Sequence, residues 1–241
     1  ETVVAQSDSA DLVTSLQITA PTGVLYAYFI DPGENAVIPF TEGNGDYTVV
    51  GYQQIQGDQY AALYSEILTV ELENDFFPFL YPNQYVNFSP DSEASKLALS
   101  MVSEDTTDVD ALKQIYNYVV NNLTYDYDKA ETVETGYLPD VDETLSTKTG
   151  ICFDYAALTT AMLRSCDIPC KLQIGYTGDI KHAWIDVYIR SKGWVTGAVS
   201  FNGDSWSLMD PTFDSSADSD DTEAIQDYIG NADNYTVQFT R

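Results

Sequence analysis

The chain has 241 residues with 44% apolar content, enough for a packed core in one large domain or two modest ones. Its 38 Asp and Glu against 10 Lys and Arg leave a net charge of −28, a field that repels phosphate backbones and anionic lipid and so argues against nucleic acid as a partner. No apolar run approaches the roughly 18 residues needed to cross a bilayer, and "VLYAYFI" at 24–30 is strand-sized.

The chain opens Glu1-Thr2-Val3 and reads as mature or trimmed, which sets an extracellular or cell-surface expectation if a signal peptide has been removed. Residues 12–88 alternate strand-like runs ("LVTSLQITA", "VLYAYFI", "YTVVGYQQI", "YAALYSEILTVELE") with the breakers "PTG", "DPGEN", "EGNGD" and "QGDQ". This spacing suggests a small antiparallel β-sandwich as an N-terminal domain, residues 1–88, that carries no chemical motif. The proline- and aromatic-rich "FFPFLYPNQYVNFSPDS" reads as an ordered connector.

From Asp91 the period becomes helical. Ala94, Leu97, Ala98, Met101 and Val102 share one face, and Leu112, Ile115, Val119 and Leu123 share another behind a Thr107/Asp108 cap. A polar segment rich in Tyr and Asp, 124–147, leads to "KTGICFDYAALTTAMLRSC", whose helix has Asp154 and Arg164 as its charges, at the ends the macrodipole favours. A helix so apolar on all sides predicts burial all round. The strand candidates "CKLQIGY", "KHAWIDVYIR", "GWVTGAVSF" and "SWSLMD" follow, so residues 89–241 read as an α+β domain.

Three cysteines, Cys152, Cys166 and Cys170, are too few for a disulfide scaffold. Cys166 and Cys170 could pair across a helix-to-strand turn or stand as two buried thiols, and Cys152 is left free either way. A lone cysteine before an apolar helix is, by itself, more often packing than chemistry. Cys152, however, falls in the first turn, where unpaired N–H groups and the dipole stabilise a thiolate. A nucleophilic thiol needs a base, and the chain contains one histidine, His182. Alternation in "IKHAWIDVYI" sets Ala183, Ile185, Val187 and Ile189 on an aliphatic, inward face. The opposite face carries His182, Trp184, Asp186 and Tyr188, with Trp184 a candidate cleft wall. Asp210, held extended by Pro211 in "WSLMDPTF", is the candidate acceptor that orients the imidazole. Tyr125 and Tyr137 are further cleft candidates and weak candidates for an oxyanion donor. The acidic run 214–223 lacks the glycine and spacing of an EF-hand loop and reads as solvated, so no metal or cofactor is expected.

"GICFDYA", "HAWIDV" and "DPTF", in that order, resemble the transglutaminase-like superfamily, with its G-x-C-x-[DE]-[FY]-[AS], H-A-W and D-[PV]-[TW] motifs, over roughly residues 90–215. Two features depart from the family pattern: cysteines at 166 and 170 where small residues are usual, and a longer "GWVTGAVSFNGDSW" between the His and Asp motifs. The resemblance implies a papain-like α+β core and a Cys–His–Asp triad formed by Cys152, His182 and Asp210. It also implies a bacterial-type secreted enzyme acting on protein or peptide amides through a thioester. Hydrolysis is the leading expectation, glutamine-to-lysine cross-linking the second, and a binding or structural module that has lost turnover the third.

Overall fold

A computed structural model describes residues 2–6, 12–57, 59–195, 199–201, 206–208 and 235–241. The chain divides into two compact units, residues 1–78 and 79–241. The first contains strands β1 (Thr2–Gln6), β2 (Thr14–Thr19), β3 (Leu25–Ile30), β4 (Asn35–Pro39), β5 (Gly45–Gln56) and β6 (Gln59–Val70). Four of them form an antiparallel sheet in the order β3-β2-β5-β6, while β1 and β4 make a separate two-stranded ribbon. Strict alternation on β3 buries Tyr26, Tyr28 and Ile30, which join Leu16, Ile18, Ile38 and Tyr47 in the buried apolar set of this unit. The expected turns are present: Gly23 and Gly57 adopt positive φ between paired strands, and Gly33 does so between β3 and β4. Strands β2, β3, β5 and β6 and their antiparallel pairing match expectation, whereas β1 and β4 are additional, and a sandwich is not established. Most of β6, including Leu63, Tyr64 and Ile67, is exposed, so among the described residues no second sheet covers that part of the first.

The second unit begins inside the aromatic connector. Val86 is fully buried, and Tyr85 and Phe88 pack against the helical core. Residues 79–88, which the sequence pattern grouped with the N-terminal domain, are therefore anchored to the C-terminal one.

Helix α1 (Glu93–Met101) buries Ala94 and Ala98, and α2 (Asp108–Asn122) buries Leu112, Ile115 and Val119. The α2 cap is as expected, with Thr107 Oγ1 accepting the Asp110 N–H at 3.2 Å. The polar segment that follows contains β7 (Thr124–Tyr125), α3 (Tyr127–Thr132), α4 (Val141–Thr147) and β8 (Thr149–Gly150). Both short helices start on an aspartate: Asp126 accepts the Lys129 N–H, and Asp140 accepts the Asp142 and Glu143 N–H groups.

Helix α5 (Cys152–Ser165) is the centre of the unit, buried without interruption from Asp154 to Arg164. It packs against α1, α2 and α4 and against β9 (Cys170–Thr177) and β10 (Ile180–Ile189). These strands form an antiparallel sheet, order β11-β10-β9-β14, with β11 (Gly193–Val195) and β14 (Tyr235–Thr240) at its edges. Strands β12 (Val199–Phe201) and β13 (Trp206–Leu208) pair antiparallel.

At the far end of α5 the guanidinium of Arg164 is buried and held by main-chain carbonyls. Nε and Nη2 donate to Cys170 at 3.0 and 2.8 Å, Nη1 to Tyr81 at 2.8 Å, and Nη2 to Arg241 at 2.9 Å. One side chain thus ties the helix end, the connector, β9 and the strand-like end of the chain together. Burial pushes its pKa down to about 10, so it remains charged at neutral pH. Beside it, Cys166 and Cys170 are free thiols, with the Cys170 thiol donating to Thr160 Oγ1 at 3.5 Å. Burial pushes Cys166 up to about 11 and Cys170 up to about 12.

The Arg164→Met variant removes the guanidinium from the carbonyls of Cys170, Tyr81 and Arg241 and should lose about 3 kcal/mol in urea unfolding. The native fold favours both neutral thiols, and this stabilisation is full below the ordinary value of 9.0 and lost as pH rises through about 11 and about 12. At pH 8, iodoacetamide with peptide mapping should therefore leave Cys170 unlabelled in the folded protein. Cys166 should react about a hundredfold more slowly than an ordinary thiol, because each pKa unit removes about tenfold of its thiolate.

Candidate active site

The approach to Cys152 is a tight strand-to-helix junction. Strand β8 pairs in parallel with β7, the Thr124 N–H donating to Lys148 O and the Asp126 N–H to Gly150 O, each at 2.9 Å. Gly150 has no alternative here: a Cβ would lie 2.6 Å from the Cβ of Asp154, so only glycine lets that side chain fold back beneath the turn. Ile151 is the extended N-cap residue and has no capping side chain, so the cap comes from within the helix. Asp154 Oδ2 accepts the Ile151 N–H at 2.8 Å. Cys152 is thereby fixed as the first helical residue, half-buried, with the helix dipole directed at it.

Asp154 is wholly buried, and a buried carboxylate requires a partner. Lys129 Nζ lies 2.8 Å from Oδ2, and the Tyr137 hydroxyl donates to Oδ1. The ammonium also donates to the Tyr137 oxygen at 2.7 Å and lies 4.4 Å from the centroid of that ring. Burial opposes the charge on Lys129, but its hydrogen bonds to Asp154 and Tyr137 outweigh this and hold its pKa above the ordinary value. Burial, aided by the hydrogen bond to Asp154, pushes the Tyr137 phenol up to about 12. The Tyr137 hydroxyl, a cleft candidate in the sequence, is engaged beneath the helix start by this network.

Tyr125 is half-buried, its ring edge-on to Tyr127 at 4.9 Å. With Asp126, Tyr127, Asp128 and Thr149 it lines a shallow depression of about 410 Å³. A second hollow, of about 250 Å³, opens over Lys129, Tyr137, Asp126, Glu143, Thr144, Thr147 and Thr149.

His182 lies near the start of β10, opposite Gly175 on β9, and is 6% exposed. Its ring is nearly parallel to that of Trp184, 16° apart with centroids at 6.3 Å, and Tyr235 packs against both. Gly175 makes this possible. A Cβ there would fall 2.0 Å from the Thr236 carbonyl oxygen and 3.0 Å from the Trp184 ring. Trp184 is 1% exposed, its ring set beside the imidazole. The two-faced reading of this strand also needs correction. Both faces of β10 are buried from His182 to Val187, because α5 covers the sheet and β14 brings Tyr235 onto Trp184. Asp186 is equally buried and accepts from Gln173 Nε2 at 2.7 Å, while Gln173 in turn accepts from Thr240 at 2.8 Å, tying β14 to the sheet.

The helix that starts at Cys152 and the strand that carries His182 are therefore packed neighbours in one core. Asp210 and the acidic run 214–223 lie outside the described residues. Among the described residues no cluster of three or more His, Cys, Asp or Glu could hold a metal ion, and no helix is long and apolar enough to cross a membrane.

Residues 95–197 match the model of the transglutaminase-like superfamily. The chain is 24% identical over 183 residues to the protein YebA of Bacillus subtilis, an alignment covering 66% of this chain and 25% of that protein. It is 40% identical over 62 residues to the protein MJ1282 of Methanocaldococcus jannaschii, covering 24% and 18% respectively. The chain thus spans a quarter or less of the length of these relatives. Among solved structures it is similar to a candidate cysteine protease from Cytophaga hutchinsonii, with 17% identity, a TM-score of 0.49, and coverage of 100% of this chain and 79% of the other. The residues matched by the family model, 95–197, lie in the mixed helix-and-sheet unit built around α5 and include both Cys152 and His182.

Proposed function

We propose that the chain is a thiol-dependent acyl-transfer enzyme that hydrolyses peptide or protein amide bonds, with Cys152 as nucleophile, His182 as acid and base, and Asp210 as the residue that orients the imidazole. The observation that carries this reading is the position of Cys152 as the first residue of a buried helix that packs on the strand bearing the sole histidine.

In the reaction, His182 and Cys152 share an imidazolium–thiolate pair. The sulfur attacks the amide carbonyl, forming a C–S bond and moving the carbonyl electron pair onto oxygen. The Cys152 N–H, in the first helical turn, is the natural first donor to that oxyanion. Collapse of the intermediate breaks the C–N bond, His182 gives its proton to the leaving amine, and a thioester remains on Cys152. Water then attacks the thioester while His182 takes its proton, releasing the acid and the thiolate. The Trp184 ring parallel to the imidazole supports this role, because it restricts the rotation of a base that must serve both steps.

Cys152→Ala and His182→Ala should each reduce kcat/KM for cleavage of a casein-derived fluorogenic substrate by on the order of 10³ or more while leaving the far-UV circular dichroism unchanged. Retained cleavage in either variant would refute the assignment. Incorporation of a labelled primary amine into a glutamine-containing protein, without cleavage, would replace hydrolysis with cross-linking.

A further inference from the structure

We infer that Lys129 and Tyr137 are positioning residues for Cys152, acting through Asp154; this rests on the reading of Cys152 as the nucleophile. The Asp154 carboxylate occupies the core two residues beyond the thiol, with Oδ2 committed to the Ile151 N–H on one side and to Lys129 on the other. Without the ammonium, a buried anion would remain beside the position where a thiolate must form. Two like charges in one turn oppose each other, which disfavours the thiolate and drives the carboxylate to turn outward. The Ile151 N–H then loses its charged acceptor and the first turn loses its fixed geometry.

Lys129 supplies the compensating charge and Tyr137 fixes the direction of the carboxylate. Each touches Asp154 and the other, so the three form a closed triangle of hydrogen bonds. The ammonium comes from α3, which is anchored by the Asp126 cap, and Asp126 is itself tied to Gly150 through its main chain. The junction and its charge compensation are therefore one unit. The groups that face it from outside are Asp126 and Glu143, which line the hollow above the ammonium. Their sign favours the charged lysine.

The test compares wild type with Lys129→Met, Lys129→Arg and Tyr137→Phe by two readouts: the pH profile of Cys152 alkylation by iodoacetamide, mapped by mass spectrometry with Cys166 as internal control, and hydrogen exchange of the Ile151 amide by NMR. Lys129→Met should move the alkylation midpoint up by about one pH unit, slow labelling about tenfold at pH values below the wild-type midpoint, and speed Ile151 exchange at least about tenfold. Lys129→Arg should restore most of both effects, and Cys166 should be unaffected. Tyr137→Phe keeps the charges, should move the midpoint by less than half as much, and still speeds Ile151 exchange; it carries the test if Lys129→Met does not fold.

Unchanged Ile151 exchange and an unchanged midpoint in the folded variants would overturn the positioning role alone. If wild-type Cys152 labels no faster than Cys166 while Ile151 exchange responds as stated, the nucleophile reading falls and the triangle is reduced to a helix cap.

Discussion

The second unit depends on a carboxylate buried at the third position of its central helix. Asp154 has no access to water, yet it is the group that closes the N-terminus of α5, because Ile151 has no capping side chain. Gly150 must lack a Cβ to make room for it, Lys129 and Tyr137 must approach to compensate it, and α3 must form to deliver Lys129. The far end of the same helix has the converse arrangement: Arg164, equally buried, is satisfied by carbonyls from the connector, β9 and the last residue. Both ends of α5 are thus held by charges in the sense its dipole favours, and the apolar length between them is free to pack on the sheet.

On the proposed reading of Cys152 as nucleophile, this arrangement accounts for how an acidic chain holds a thiolate at that position. The overall field disfavours any additional anion, so a thiolate at Cys152 relies on local compensation. On the same reading the helix terminus, the imidazole of the neighbouring strand and the ammonium bound to Asp154 supply it. Cys166 and Cys170, at the opposite end of the helix and in the core, are held neutral by burial.

Much of this was legible in the sequence where a periodic pattern and its solvent exposure agree. The buried faces of α1 and α2, the all-round burial of α5 and the strand runs that become β2, β3, β5 and β6 follow from spacing alone. Alternation misled on β10, where α5 covers one face and Tyr235 packs on Trp184 at the other, so Trp184 supports His182 from within the core. The short helices α3 and α4 lack an apolar stripe and are stabilised by Asp126 and Asp140, a signal that resembles an ordinary acidic loop. The triangle beneath Cys152 joins residues 129, 137 and 154, and no local pattern links them. A clue does exist: Lys129 is the only Lys or Arg between Lys113 and Lys148, an isolated cation in an acidic stretch.

The central claim is that Cys152 carries the acyl group during turnover. Acid-quenching the enzyme with an activated peptide ester in the first turnovers and mapping the mass shift should place the acyl adduct on the peptide containing Cys152. The adduct should be absent in His182→Ala. An adduct on Cys166, or turnover with unmodified Cys152 at every time point, would contradict the account.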